Sequence, residues 1–203
     1  MPRRVLLALA LCLAAIGAPR FATASELTAP IERLDAALLQ AMKLGKSAPF
    51  KQRYDVLAPA VLQAVDVDDI LAGAVGPAWA SLPADQQAAL KAAWQRYAIA
   101  SYASTFDSFS GERFELYPPA AGGTLVRVKI VPGQPGDDTH VLGYTMRQGS
   151  AGWKAIDVTA DSTISQVTTQ QDQIRSLWRS GGYAGLLTRL QQKVADMSGG
   201  TVR

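Results

Sequence analysis

The stretch TLVRVKIVP, residues 124–132, changes the period of the sequence. Val126, Val128 and Ile130 alternate with Leu125, Arg127 and Lys129, the repeat of two that sends successive side chains to opposite faces of a β-strand. Three β-branched residues on one side and two cations on the other predict a strand with one buried and one wet face. Similar runs flank it: ERFELYP (112–118), THVLGYTMRQ (139–148) and GWKAIDVTA (152–160). The connections AAGG, GQPGDD and GSAG are short and rich in turn-forming residues, so the four runs predict an antiparallel meander.

Outside this block the apolar spacing is helical. Upstream, APIERLDAALLQAMKLG carries Ile31, Leu34, Leu38 and Met42 and stops at Gly45. FKQRYDVLAPAVLQAV predicts a second helix, with a possible kink at Pro59, and DVDDILAGAVG a short third. The longest helix is expected over LPADQQ…FDSF (82–109), with a stripe of Leu90, Trp94, Tyr97 and Ala98, Tyr102, Phe106 and Phe109. Downstream, Ile164, Val167, Ile174, Leu177 and Trp178 predict a helix ending at Gly181–Gly182. Leu186, Leu187, Leu190, Val194 and Met197 predict another. Helices, a sheet, then helices give an α+β fold, with helices packed on one face of a curved four-stranded antiparallel sheet.

The N-terminus reads as an export signal. MPRR is basic, residues 5–18 are apolar, and Ala22 and Ala24 are small, so cleavage is expected after Ala24. Residues 25–203 would then form one domain. Arg3, Arg4 and Arg20 lie in the leader, which holds no acid, so the remaining acids and bases balance. A basic nucleic-acid surface is therefore not expected. Cys12 also lies in the leader, leaving no cysteine for disulfides or thiol chemistry.

Motifs that carry chemistry are scarce. The only histidine is His140, no serine has a nucleophile-elbow context, and no glycine loop has phosphate-cradling spacing. Asp66, Asp68 and Asp69 read as a helix cap with acids in the first turn rather than a calcium loop. No metal and no cofactor are expected. Asp157 is the ambiguous residue. Simple alternation puts it on the face of Trp153 and Ala155, with Lys154, Ile156 and Val158 opposite. It is either an acid in an apolar pocket, poised as a general base, or an acceptor that fixes a neighbouring loop or helix terminus. The lack of an identifiable partner acid or base favours the second.

Three segments in this order resemble a known family: residues 75–116, with Gly76 and Trp79 ahead of a tyrosine-rich helix; WKAIDV (153–158); and the Ser165, Val167, Gln173 and 186–190 pattern of the tail. They are similar to the MlaC/Ttg2D (toluene-tolerance) family of periplasmic lipid-binding proteins. The resemblance implies an NTF2-like cone and a carrier that shuttles lipid between inner-membrane and outer-membrane transport complexes, with transient membrane contact and no enzymatic activity. After the WKAIDV strand the family pattern has Tyr-Arg where this chain has Gln170 and Gln171, and Phe where it has Ile174. In this the chain looks like the hopanoid-associated, HpnM-like branch, whose cargo would be a rigid polycyclic triterpenoid instead of a phospholipid.

Candidate lipid-binding residues are Val126, Val128, Ile130, Leu142, Tyr144, Met146, Ile156 and Val158 on the sheet, and Trp94, Tyr97, Phe106 and Leu177 on helices. From pattern alone a filled core is the favoured reading, because a stripe does not reveal a cavity beneath it; only the resemblance tips the expectation toward a cavity. The alternative function is an NTF2-like isomerase or dehydratase acting on an apolar substrate, with Asp157, Tyr144 or His140 as acid–base groups. It requires polar groups converging deep in a pocket.

Overall fold

The computed structural model describes residues 24–161 and 164–202. The leader read at 1–24 lies outside the described residues except for Ala24, where the first helix begins. Helices α1 (Ala24–Leu44), α2 (Phe50–Ala64) and α3 (Val67–Val75) lead through a 3-10 segment, Gly76–Ser81, into α4 (Ala84–Thr105). Strands β1 (Arg113–Tyr117), β2 (Leu125–Val131), β3 (His140–Gly149) and β4 (Gly152–Ala160) follow, then a two-residue β5 (Ile164–Ser165) and helix α5 (Gln166–Ser198). The sheet runs β1-β2-β3-β4-β5 with every neighbour antiparallel, so the expected four-strand meander is present with a short fifth pairing at its edge.

Local chemistry accounts for most boundaries. Asp66 accepts from the Asp69 amide at 3.4 Å and caps α3, as the acid cluster suggested. Arg147 then pairs with Asp66 at 3.1 Å and Asp69 at 2.9 Å, and Lys91 with Asp68 at 3.4 Å, so all three acids have cationic partners. Helix α2 continues through Pro59. The tail is two helical segments meeting at a kink, as the glycine pair predicted, because Gly182 sits at φ 55°, ψ −149°, a conformation open essentially to glycine alone. Helix α4 ends at Thr105, earlier than the stripe implied. Phe106 is its C-cap and Phe109 is exposed, with the Lys43 ammonium 5.4 Å from its ring centre.

One expectation about the strands is overturned. Thr145 pairs with Asp157, but Met146 pairs with Ala155, so Ile156 is an extra residue in β4. A β-bulge of this kind resets the alternation. Ala155 and Val158 both oppose inward-facing residues, Met146 and Tyr144, and share the inner face. Asp157 is opposite Thr145, off the face of Ala155 on which strict alternation had put it.

The helices cover the inner face unevenly. Helix α1 packs on α2 and reaches β1 and β4, while α3 and α5 also reach β4. Helix α4 rests on α2, α3 and α5. The α2–α3 junction is tied to the sheet directly: Val65 bridges Ala155, and the Asp66 amide donates to the Ala155 carbonyl at 2.9 Å. Arg53, buried, donates to the carbonyls of Gly45 (2.7 Å), Ala48 (3.0 Å) and Ala103 (3.4 Å), joining the α1–α2 turn to the end of α4. Among the described residues no helix is long and apolar enough to cross a membrane.

Candidate functional site

Between α4 and the sheet lies a cavity of about 350 Å³. One wall is α4, through Trp94, Ala98, Ser101, Tyr102, Thr105 and Phe106. The opposite wall is Leu142 and Tyr144 of β3 with Val158 and Ala160 of β4. Val65, Val67 and Ile70 close one end, and Gln166, Val167 and Gln170 of α5 stand at another edge. Burial grades across it. Trp94, Tyr144, Val65, Val67 and Ile70 are buried and form the floor, whereas Thr105 and Gln166 are exposed and mark the mouth. Among the described lining residues none is charged.

Each wall is held in place. The Trp94 indole N–H donates to the Val67 carbonyl at 2.8 Å, which docks α4 on the start of α3 and satisfies the ring's one donor. Phe106 lies over Tyr102, ring centres 6.2 Å apart and nearly parallel, and against Phe114 at 6.3 Å. Asp157 holds the mouth from outside. Its Oδ1 accepts from the Ser165 hydroxyl at 2.6 Å and the Val158 amide at 2.8 Å. The same Ser165 oxygen accepts from the Thr168 amide at 2.8 Å and is the N-cap of α5. Asp157 therefore sets the entry angle of the helix that brings Gln166, Val167 and Gln170 to the cavity; it does not line the cavity.

Of the residues singled out in the sequence, Trp94, Phe106, Leu142, Tyr144 and Val158 meet at this cavity. Val126, Val128 and Met146 share the inner face but are buried in the main core. Tyr97 is turned toward Trp94, 5.3 Å between ring centres, and the Lys193 ammonium of α5 lies 5.7 Å from its ring. Ile130 is half-buried opposite Phe114, Ile156 is the bulge residue, and Leu177 packs half-buried against the core from α5. His140 is exposed at the start of β3, its Nδ1 3.1 Å from Asp161 Oδ2.

Sequence reasoning missed much of the lining, Val65, Val67, Ile70, Tyr102 and Gln170 included, and one buried acid near it. Asp35 of α1 is buried, and its Oδ1 has no hydrogen-bond partner among the described residues. Burial, with Glu32 adding repulsion, pushes its carboxyl up to about 7. Asp35 acts electrostatically on the two cavity tyrosines. The Tyr102 phenol is pushed up to about 12 by burial and then by Asp35; Tyr144 is raised well above the usual phenol value by burial, then Tyr102, then Asp35. The signal was available: Asp35 falls four residues after Ile31 and three before Leu38, on the apolar stripe.

A second, larger hollow of about 600 Å³ lies between α1, α2 and the β3–β4 hairpin. Glu26, Arg33, Gln63, Gln148 and Lys154 line it, so it offers no continuous apolar wall.

The MlaC protein family model matches residues 32–192. The chain belongs to the MlaC family. The solved structure of a phospholipid-binding protein from Ralstonia solanacearum, in complex with a phospholipid, superposes with a TM-score of 0.66 at 18% identity. The match covers 86% of this chain and 97% of that one. At that identity the likeness establishes the shared fold. No curated protein matched the sequence. Family and fold agree: this MlaC-family chain shares the fold of that phospholipid-binding protein.

Proposed function

We propose that the protein is an exported, periplasmic lipid carrier that holds the hydrocarbon part of a hopanoid or phospholipid in the cavity under β3 and β4, and shuttles it between inner-membrane and outer-membrane transport complexes. The observation that carries this reading is the wall itself: an apolar cavity with a buried floor, an open polar mouth and, among the described residues, no charged lining residue. Each methylene moved from water into such a space gains about 0.8 kcal/mol, so a single hydrocarbon body supplies the binding energy without any chemistry. Because the wall resembles the membrane interior in polarity, cargo can leave again with little net cost.

At about 350 Å³ the cavity lies near the small end of ligand sites, which run roughly 300–1,000 Å³, so two acyl chains and a thirty-carbon ring system would each have to widen it. The mouth supports the hopanoid over the phospholipid. Gln170, which stands where the family pattern has tyrosine, lines it, and Gln171, in the arginine position, donates to the Ile70 carbonyl at 3.4 Å. Neutral amides are a poor match for a phosphate and a fair one for hydroxyls. Trp94, Phe106, Leu142, Tyr144 and Val158 are the proposed contacts. Of the acid–base groups named for the catalytic alternative, Tyr144 lines the cavity but Asp157 and His140 do not, so the converging set it requires is not assembled there.

Native mass spectrometry of protein purified from a hopanoid-making bacterium without detergent tests the reading. A mass increment matching a triterpenoid is expected. A phospholipid increment would keep the carrier and change its cargo. A clean unliganded mass that no added lipid shifts would overturn the proposal.

A further inference from the structure

A cavity of about 350 Å³ that must widen for its cargo needs a wall that moves. Most of its walls are pinned. Strands β3 and β4 are paired along their length, and the α2–α3 junction is hydrogen-bonded to Ala155 of β4. Helix α4 is fixed by the bond from Trp94 to Val67 and by its packing on α2 and α3. The wall built from the first half of α5, residues 166–181, is different. It runs between the two-residue β5 and the kink at Gly182. At Gly181 and Gly182 no atom from elsewhere in the fold stands within 4 Å of where a Cβ would be, so nothing packs on the kink. Beyond it, Leu186, Leu190, Val194 and Ser198 are buried at about one residue per turn and anchor the second half. Before it, Val167 and Ile174 are buried and Leu177 and Trp178 half-buried. Among the described residues, the side-chain hydrogen bond that ties this half to the helices beneath is the one from Gln171 to the Ile70 carbonyl, long at 3.4 Å.

We propose that residues 166–181 form a lid that swings outward about Gly182 to admit lipid and closes with Val167 and Gln170 against the cargo. This rests on the lipid-carrier reading of the cavity. A glycine passes between its present conformation and helical values without the steric barrier a Cβ imposes, and hinges sit at such element-terminal positions. The other walls move at greater cost. Displacing α4 would expose Leu90, Trp94 and Ile99 and break the bond to Val67. Displacing β3 or β4 would break the ladder between them. Swinging the lid uncovers few apolar side chains and keeps the hydrogen bonds inside each helical half.

Residues 25–203 carry no cysteine, so an introduced pair gives one defined bridge. A Cβ at Gly73 of α3 would stand 3.4 Å from the Gln171 amide nitrogen, so these two positions face each other across the closed lid. Protein carrying Gly73→Cys and Gln171→Cys is bridged with a short bis-methanethiosulfonate reagent. It is then mixed with vesicles containing a rigid fluorescent sterol or a pyrene-labelled phospholipid. Uptake by the bridged form should fall about tenfold or more relative to the same protein after reduction, because the open state is no longer reached. Capping both thiols with methyl methanethiosulfonate, which adds bulk without a bridge, should leave uptake as in the reduced form. Equal uptake by bridged and reduced protein, uptake blocked as fully by the caps, or failure of the bridge to form would each overturn the lid. The carrier reading survives those three results. It falls, and the lid with it, only if the reduced protein takes up neither lipid.

Discussion

The inner face of the sheet has two halves that look alike in sequence and differ in fate. Val126, Val128 and Met146 are buried in a filled core, whereas Leu142, Tyr144, Val158 and Ala160 look across a hollow. Both sets come from alternating strands, and some are cross-strand partners: Val126 pairs with Tyr144, and Val128 with Leu142. What separates them is the layer above. Helix α4 rests on α2, α3 and α5 and faces β3 and β4 across the cavity. A gap between layers is a property of the helix scaffold rather than of the strands beneath.

Asp35 gives the largest effect by which this contrast can be tested, because it acts from the packed side on the tyrosines of the hollow side. Its carboxyl is raised from 3.8 to about 7 in the folded protein. The unfolded chain therefore loses its proton first as pH rises. Stability should fall between about pH 4 and 7 and level off above, by on the order of 4 kcal/mol at about 1.4 kcal/mol per unit. Asp35→Asn should remove that slope and be the more stable protein at pH 8, as read by chemical denaturation across pH. An unchanged slope would place the charge in water.

The two halves can be compared directly. Met146→Ala should cost about 2–5 kcal/mol, because it opens a hole in a filled core, and leave lipid content unchanged. Leu142→Ala, already bordering empty space, should cost under about 1 kcal/mol and alter the bound lipid. Denaturation midpoints and native masses of both variants decide; equal costs would mean that the two halves are packed alike.

Asp157 supplies the smallest effect. Asp157→Ala removes the acceptor of Ser165, and with it support for the α5 cap, at about 1–2 kcal/mol. Lipid retention should weaken as α5 loosens at the mouth. Thermal melts and lipid occupancy report the two together, and occupancy unchanged at reduced stability would disconnect Asp157 from the mouth.

The legibility of the molecule follows the range of the interactions involved. The alternation of 124–130 and the helical stripes of α1, α4 and α5 were readable because period is set by residues within one turn or one pleat of each other. The cap at Asp66 and the break at Gly182 were readable for the same reason. The bulge at Ile156 was not, since it depends on which β3 residue each β4 residue meets. Strict alternation therefore put Asp157 on the face of Ala155. Asp35 was readable and overlooked: a carboxylate inside an apolar stripe signals a group buried with perturbed titration.

The sequence by itself determined the α+β class, the order of the elements and, outside the bulged strand β4, which strand side chains turn inward, because hydrophobic period and turn chemistry are local. Only the tertiary structure decided where inward-facing side chains touch and where they enclose space. That depends on how far α2, α3 and α5 hold α4 from the sheet, a distance between elements far apart in the chain that no window of residues contains.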